Sequence, residues 1–127
     1  DEALGAFRDR DLLNALWAAA TVDSGEPLAD KVLPLVVPRI VEDPRKFTLE
    51  ELSEVLCCCS KYNRYDESLF QAVLQEMECR EPGPEDLFCG LPGLVWSLRN
   101  FGQVPHNLLE RVSRLLTPEL AQRLNER

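Results

Sequence analysis

The sequence predicts an all-α fold, an α-solenoid of stacked helical hairpins in about three units. Three observations predict it: an apolar stripe with helical spacing, the recurrence of that stripe, and turn-forming residues between the copies. The chain has 127 residues, of which 45% are hydrophobic and 28% charged, as in an ordinary soluble domain with its own core. We therefore expect one helical-repeat domain over residues 1–127.

The stripe of an amphipathic helix appears three times, with apolar residues at i, i+3, i+4, i+7 and i+10. Its copies begin at Leu12, Leu52 and Leu91, at offsets of 40 and 39 residues. A short polar turn then leads to a second amphipathic helix, whose apolar positions align at offsets of 41 and 39 residues. Two helices and a turn that match in three copies predict a repeat of about 39 to 41 residues. The predicted units span approximately 9–46, 47–83 and 84–116, and residues 117–127 begin a further helix.

Capping residues mark several of the predicted helix ends. Thr48 and Glu51 have the spacing of a capping box, in which each side chain accepts a hydrogen bond from the backbone amide of the other residue. Asp66 suits a further N-cap, and Gly102 suits the position just after a helix. These residues predict where three of the helices begin or end.

Prolines predict where other helices break or begin. Pro34 and Pro38 lie inside the second helix of the first unit, where each removes an amide donor, so we expect that helix to kink or end early. Pro92 favours a fresh helix start after a short helical turn over 84–88. Pro118 opens the last helix by the same rule.

Acidic residues outnumber basic ones in this chain. The sequence carries 22 Asp and Glu against 14 Lys and Arg, a net charge of −8, which argues against a surface that binds polyphosphate throughout. The acidic excess lies in residues 1–83, whereas residues 84–127 carry five charges of each sign. Any nucleic-acid contact is therefore expected in the C-terminal third.

Five cysteines, three of them consecutive at Cys57, Cys58 and Cys59, favour a reducing compartment. Successive helical residues point about 100° apart, so the triplet cannot face one metal ion, and we interpret the thiols as packing groups. No apolar run is long enough to span a membrane. The start at Asp1, without Met, fits either a processed mature protein or a fragment.

The sequence contains no recognisable catalytic arrangement, and we expect no enzyme activity, metal, cofactor or small-molecule substrate. His106, the single histidine, follows Pro105 at a predicted helix start and has no nucleophile nearby, so we interpret it as a turn or capping residue. Trp17 and Trp96 share one repeat position, where they could stack on bases. Packing between neighbouring hairpins is the favoured interpretation.

Four polar residues, Arg99, Asn100, Arg111 and Arg114, are predicted to bind a partner or RNA. Arg99 and Asn100 lie off the apolar stripe, whereas Arg111 and Arg114 are spaced i, i+3 on the next helix and share one side. Guanidinium groups suit contacts with phosphate or carboxylate. The alternative interpretation is a solvated face without a partner.

The third unit carries the motif Leu94-Val-Trp-Ser-Leu-Arg-Asn-Phe-Gly102, followed by Pro105-His-Asn-Leu-Leu109. It resembles octotricopeptide-type repeats and is similar to heptatricopeptide repeats and to the helical repeat region of FAST-kinase-domain proteins. The resemblance spans about residues 9–127, with HEAT-like hairpins of similar length as an alternative. It implies an organellar protein, mitochondrial rather than plastid, that binds RNA along a stacked superhelix. No kinase motif accompanies it.

Two functions are consistent with these observations. The first is a non-enzymatic binding module of an organelle, in RNA metabolism or as a ribosome-associated subunit, which the resemblance implies. The second is a protein-protein scaffold or accessory subunit of a large organellar complex without RNA contact, which the net charge of −8 favours. Both hypotheses place protein partners in a large assembly, and the first adds RNA.

Overall fold

The computed structural model of the protein describes residues 8–81, 83, 90–103, 105–115, 118, 119 and 122. In these residues the regular structure is helical and no β-strand occurs, so the predicted all-α fold is confirmed. The helices are α1 (Asp9–Thr21), α2 (Glu26–Glu42), α3 (Leu49–Lys61), α4 (Glu67–Cys79), α5 (Leu91–Asn100) and α6 (His106–Leu115), with a short 3-10 turn at Pro44–Lys46. The predicted helical turn over 84–88 lies outside the described residues.

The helices contact one another in two rows. In the first row, α1 packs against α3 and α3 packs against α5. In the second row, α2 packs against α4 and α4 packs against α6. The rows are joined most closely where α1 packs along α2, across the turn of residues 22–25. Among the described helices, none is long and apolar enough to cross a membrane.

The core follows the repeated apolar stripe. The first stripe residue of each copy is buried, and so is the residue seven positions later: Leu12 and Ala19, Leu52 and Cys59, Leu91 and Leu98. Burial of a leucine side chain contributes about 1.5 to 3 kcal/mol relative to exposure, so these positions supply much of the packing energy. Val22, the last stripe residue of the first copy, is 48% exposed, because α1 ends at Thr21.

The predicted N-caps are present at α3 and α4. The amide of Glu51 donates to the Thr48 hydroxyl at 3.0 Å, and the amide of Thr48 donates to the Glu51 carboxylate at 2.8 Å, which completes the capping box. The amide of Leu69 donates to Oδ1 of Asp66 at 2.8 Å. Helix starts are fixed by local hydrogen bonds, and for this reason the sequence predicts them well.

Two first-row helices end in the same turn. After α5, Gly102 has a φ of 78°, and its amide donates to the backbone oxygen of Arg99 at 2.9 Å. The amide of Gln103 donates to the backbone oxygen of Leu98 at 2.9 Å. After α3, Asn63 takes the place of Gly102 with a φ of 53° and makes the equivalent pattern. The predicted role of Gly102 is confirmed, and the turn after α3 repeats it.

Helix α2 continues past both of its internal prolines. The expectation that it ends early at Pro34 or Pro38 is wrong, because the helix runs over its full 17 residues. Both prolines are exposed and lie four residues apart, so the missing amide donors fall on the solvent side. The opposite side is held in the core by buried residues that include Val36 and Ile40.

Side chains at the end of α3 bind the end of α1. The hydroxyl of Tyr62 donates to the backbone oxygen of Ala19 at 2.6 Å. The ammonium group of Lys61 donates to the backbone oxygens of Ala20 at 2.6 Å and Val22 at 3.0 Å. The last carbonyls of a helix lack partners within it, and the helix dipole favours a cation there. Residues of the second hairpin therefore cap a helix of the first.

Gly90, in the turn before α5, lies in close contact with the backbone of α3. It has a φ of 84°, and a Cβ atom there would lie 2.8 Å from the backbone nitrogen of Glu50. Gly102 is the matched control, since its φ is also positive but nothing lies within 4 Å of a Cβ placed on it.

We expect Gly102→Ala to lower the free energy of unfolding by about 1 to 2 kcal/mol, because alanine resists a positive φ. Gly90→Ala also introduces a steric clash with the α3 backbone, and we expect it to lower the free energy of unfolding by at least about 1 kcal/mol more. Urea unfolding of both variants measures the difference. Equal losses would contradict the close contact between the Gly90 turn and α3.

Candidate partner-binding face

The first-row helices carry a line of equivalent residues beside the core. Trp17 on α1, Cys57 on α3 and Trp96 on α5 share one repeat position. The two tryptophans are 57% and 58% exposed, so the interpretation that they pack between hairpins is wrong. The reason is geometric: Trp17 follows the buried Leu16 directly, and the next helical residue points about 100° away from the core.

Cys57 lies on α3, between the two helices that carry the tryptophans, and it packs against α5. Its thiol accepts a hydrogen bond from the Ser97 hydroxyl at 3.4 Å and lies 3.7 Å from the backbone oxygen of Gly93. A Cβ on Gly93 would lie 2.6 Å from the Ser53 hydroxyl, so α5 approaches α3 closely here. We call the surface of α1, α3 and α5 that carries the following residues the tryptophan face: Trp17, Glu50, Glu54, Cys57, Trp96, Arg99 and Asn100.

At one end of the tryptophan face, an open cavity of about 310 Å³ lies between α1 and α3. Trp17 lines it together with Glu50 and Glu54, which are spaced i, i+4 on α3. Neither of these carboxylates pairs with a basic side chain in the described part of the chain. Arg10 instead binds the adjacent Glu51 at 2.7 Å. This end of the face therefore combines an aromatic side chain with two carboxylates that form no ion pair among the described residues.

The pKa of the Glu54 carboxyl group is raised. Partial burial is the largest cause, and repulsion from the carboxylates of Glu50 and Glu51 adds to it, while the charge of Arg10 opposes it. The ionised form of Glu54 is thus less stable in the folded chain than in water. A cation placed in the cavity would stabilise it.

At the other end of the face, a cavity of about 350 Å³ is lined by Trp96, Arg99 and Asn100. Both polar side chains are exposed, and that of Arg99 forms neither an ion pair nor a hydrogen bond with any described residue. Two of the four predicted site residues therefore meet beside an exposed indole.

Arg111 has a structural position in the second row. Its guanidinium group donates to the backbone oxygen of Arg80 at 2.5 Å and also to that of Glu78, and it lies 3.9 Å from the Glu81 carboxylate. It therefore caps the last carbonyls of α4, and its side chain is only 16% exposed. The sequence places Arg111 on the side of a helix but does not reveal that this side meets the end of α4.

Arg114 lies one turn further along α6 and is exposed. It pairs with Glu110 at 2.7 Å on the same helix. The predicted site residues thus divide into Arg99 and Asn100 on the first row and Arg111 and Arg114 on the second, and the structure does not bring the two pairs together in one cavity.

Most basic side chains of the described residues are engaged within the fold. Those within 4.0 Å of a carboxylate are Arg10, Arg39, Arg45, Lys46, Arg64, Arg80, Arg111 and Arg114. Exposed pairs of this kind contribute at most about 1 kcal/mol each to stability. Their larger effect is to neutralise positive charge that a polyphosphate would otherwise bind.

A second-row cavity of about 360 Å³ is lined by Asp30, Pro34, Arg64 and Tyr65, among others. Arg64 donates to the two carboxylate oxygens of Asp30, at 2.9 and 3.1 Å, and to Glu26 at 2.7 Å. The hydrogen bond from Arg64 is the largest cause that lowers the pKa of the Asp30 carboxyl group; desolvation opposes it, and the charge of Arg64 adds to the lowering. This ion pair is complete within the fold, so it offers a ligand no free charge.

The cysteine triplet matches the packing interpretation. Burial raises the pKa of Cys58 to about 11 and that of Cys59 to about 12, so both are neutral thiols near pH 7 rather than nucleophilic thiolates. No group of three or more metal-ligating side chains occurs in the described residues. His106 is exposed and is the first residue of α6, so it lies within the helix rather than in the turn before it.

Sequence reasoning missed Glu50 and Glu54 as members of a cavity. Their i, i+4 spacing on one helix is readable in the sequence, but a solvated face has the same pattern. What distinguishes them is Trp17, which lies on the neighbouring helix one repeat earlier and reaches the same cavity. Pairing the acidic positions with residues one repeat away would have found the site.

No family model, curated protein or solved structure matches the chain. The resemblance to octotricopeptide-type repeats therefore stays a prediction from its motifs.

The two arginines of α6 provide a test of the assignment of Arg111 to the fold. We expect Arg111→Ala to lower the free energy of unfolding by about 1.5 to 3 kcal/mol, because charged hydrogen bonds to the α4 carbonyls are lost. We expect Arg114→Ala to change it by less than about 0.5 kcal/mol, since an exposed i, i+4 ion pair contributes little. Thermal and urea unfolding measure both variants. Comparable effects of the two substitutions would contradict the capping role.

Proposed function

We propose that this chain is a non-enzymatic helical-repeat module, a segment of an α-solenoid, that binds a protein partner through the tryptophan face. The observation that carries the proposal is the exposure of two indoles, Trp17 at 57% and Trp96 at 58%, at equivalent positions of α1 and α5. Tryptophans are enriched at the centres of protein interfaces, where a few such residues contribute most of the binding energy.

The arrangement of the helices supports the solenoid part of the proposal. Each first-row helix packs on the next first-row helix, and each second-row helix does the same, as neighbouring repeats in a stack do. The equivalent turns after α3 and α5 support a repeat of about 39 residues. Such stacks present an extended face of successive first helices, which is where the two tryptophans lie.

Charge favours a protein over RNA as the partner. The chain carries a net charge of −8, and most of the basic groups in the described residues are engaged in ion pairs or helix caps. A protein that tracks a nucleic-acid backbone needs several free cations along its binding groove. On the tryptophan face, Arg99 is the cation, whereas Glu50 and Glu54 contribute negative charge.

RNA binding is the second candidate, and one observation favours it. Trp96 offers a stacking surface for a base, and Arg99 beside it has no carboxylate partner in the described residues. A gel shift with single-stranded RNA that weakens as salt rises, and that Arg99→Gln abolishes, would favour this candidate and overturn the protein-only proposal.

The cellular setting follows from the resemblance alone. An octotricopeptide-type repeat protein works in an organelle, and the mitochondrion is the setting that we propose, with the chain as a subunit of a large assembly such as the mitochondrial ribosome. The odd number of cysteines and the unpaired thiols of Cys57 and Cys58 are compatible with a reducing compartment.

Site-specific photo-crosslinking in the native cells tests the proposal. The photoreactive residue p-benzoylphenylalanine is placed at position 17 or 96, with position 71 as the control, because Gln71 is exposed on α4 in the second row. We expect positions 17 and 96 to yield an adduct with the same protein, identified by mass spectrometry. That adduct should be sensitive to protease, insensitive to ribonuclease and absent from position 71.

Two outcomes would overturn the proposal. Adducts at positions 17 and 96 that ribonuclease removes would show that the face binds RNA. An adduct of equal yield at position 71 would show that the contact is not specific to the tryptophan face.

A further inference from the structure

The cavity between α1 and α3 has the features of a site for an organic cation. Trp17 provides the aromatic side chain that attracts cations most strongly, and more than half of its surface is open to solvent. Glu50 and Glu54 line the same cavity and are not paired with any basic residue in the described part of the chain. The volume of about 310 Å³ lies at the lower end of the roughly 300 to 1,000 Å³ typical of ligand pockets.

We propose that this cavity receives an arginine side chain of the protein partner, whose guanidinium group stacks on Trp17 and binds the carboxylates of Glu50 and Glu54. The inference rests on the proposed function in one respect, that the ligand comes from a protein. It adds the chemical identity of the residue that the partner presents.

Charge complementarity identifies the occupant. The neighbouring cation, Arg10, is bound to Glu51, so Glu50 and Glu54 line the cavity without an ion-pair partner among the described residues. Burial and the two neighbouring carboxylates disfavour the ionised form of Glu54, and a cation beside it would remove this penalty. An apolar ligand would instead bury these carboxylates without compensation, which is unfavourable.

Arginine fits the lining better than lysine does. A guanidinium group is planar, so it can lie flat on the indole while its N–H donors reach a carboxylate in a bidentate pair. A lysine ammonium group is a compact point charge with a tighter hydration shell. Thr21 also lines the cavity, and its hydroxyl donates to the backbone oxygen of Ala18 at 3.0 Å.

The two tryptophans allow a titration with an internal control. The chain is titrated with the blocked tripeptide Ac-Gly-Arg-Gly-NH2, and the indole N–H signals of Trp17 and Trp96 are followed by two-dimensional NMR. Ac-Gly-citrulline-Gly-NH2 has nearly the same shape without the charge, and Ac-Gly-Lys-Gly-NH2 carries the other cation. We expect the arginine peptide to shift the Trp17 signal and leave that of Trp96 in place.

The strength of peptide binding should depend on the charge of the peptide side chain and on the indole of Trp17. We expect citrulline to cause no saturable shift and lysine to bind at least about threefold more weakly than arginine. Trp17→Ala removes the reporter, so its binding is followed through the backbone amide of Glu54. We expect Trp17→Ala and Glu54→Gln each to weaken arginine binding at least about fivefold, and Trp96→Ala to change it less than twofold.

Glu54→Gln is a suitable variant because it removes a charge that burial and neighbouring carboxylates disfavour, so the fold should be retained. Circular dichroism checks this. Equal shifts with arginine and citrulline, or a response of Trp96 rather than Trp17, would overturn the inference. If photo-crosslinks from position 17 to a protein persist while arginine causes no shift, the arginine inference fails and the proposed function stands. If neither the crosslinks from position 17 nor the arginine shift is observed, both the arginine inference and the proposed function are overturned.

Discussion

The last carbonyls of a helix lack donors within it, and in this protein basic side chains of the next predicted unit bind those of α1 and α4. Lys61, at the end of α3, binds the end of α1, and Arg111 of α6 binds the end of α4. These contacts join consecutive units in both rows. Because most basic groups of the described residues are engaged in ion pairs or helix caps, the described surface of this protein, whose net charge is −8, carries little free positive charge.

The character of the tryptophan face follows from this use of charge. Its two tryptophans occupy equivalent positions on α1 and α5, with Cys57 at that position on α3, whereas its charges differ: Glu50 and Glu54 lie near Trp17, and Arg99 lies near Trp96. A partner that covers both ends must present opposite charges at its two ends. Under the proposed function, such a pattern would fix the direction in which the partner binds, because reversal would place like charges together. In the proposed complex, the indoles would supply contact area, and the charges would supply orientation.

Features that depend on neighbouring residues in the chain could be predicted from the sequence. The apolar stripes, the capping box of Thr48 and Glu51 and the turn at Gly102 each depend on residues within a few positions. Features that depend on packing between hairpins could not. The sequence does not show that Arg111 meets the end of α4 or that Trp17 shares a cavity with residues of α3. The prolines of α2 wrongly predicted an early helix end for the same reason, since their effect depends on which side of the helix faces solvent.

Hydroxyl-radical footprinting of the chain in its native assembly tests most directly whether the tryptophan face is the binding surface. Oxidation of each aromatic residue is measured by mass spectrometry in the assembly and in the isolated chain. Tyr65, which is 46% exposed and lines a different cavity, serves as the reference. The account predicts that Trp17 and Trp96 both lose reactivity in the assembly while Tyr65 keeps it. Unchanged oxidation of both tryptophans in the assembly would contradict it.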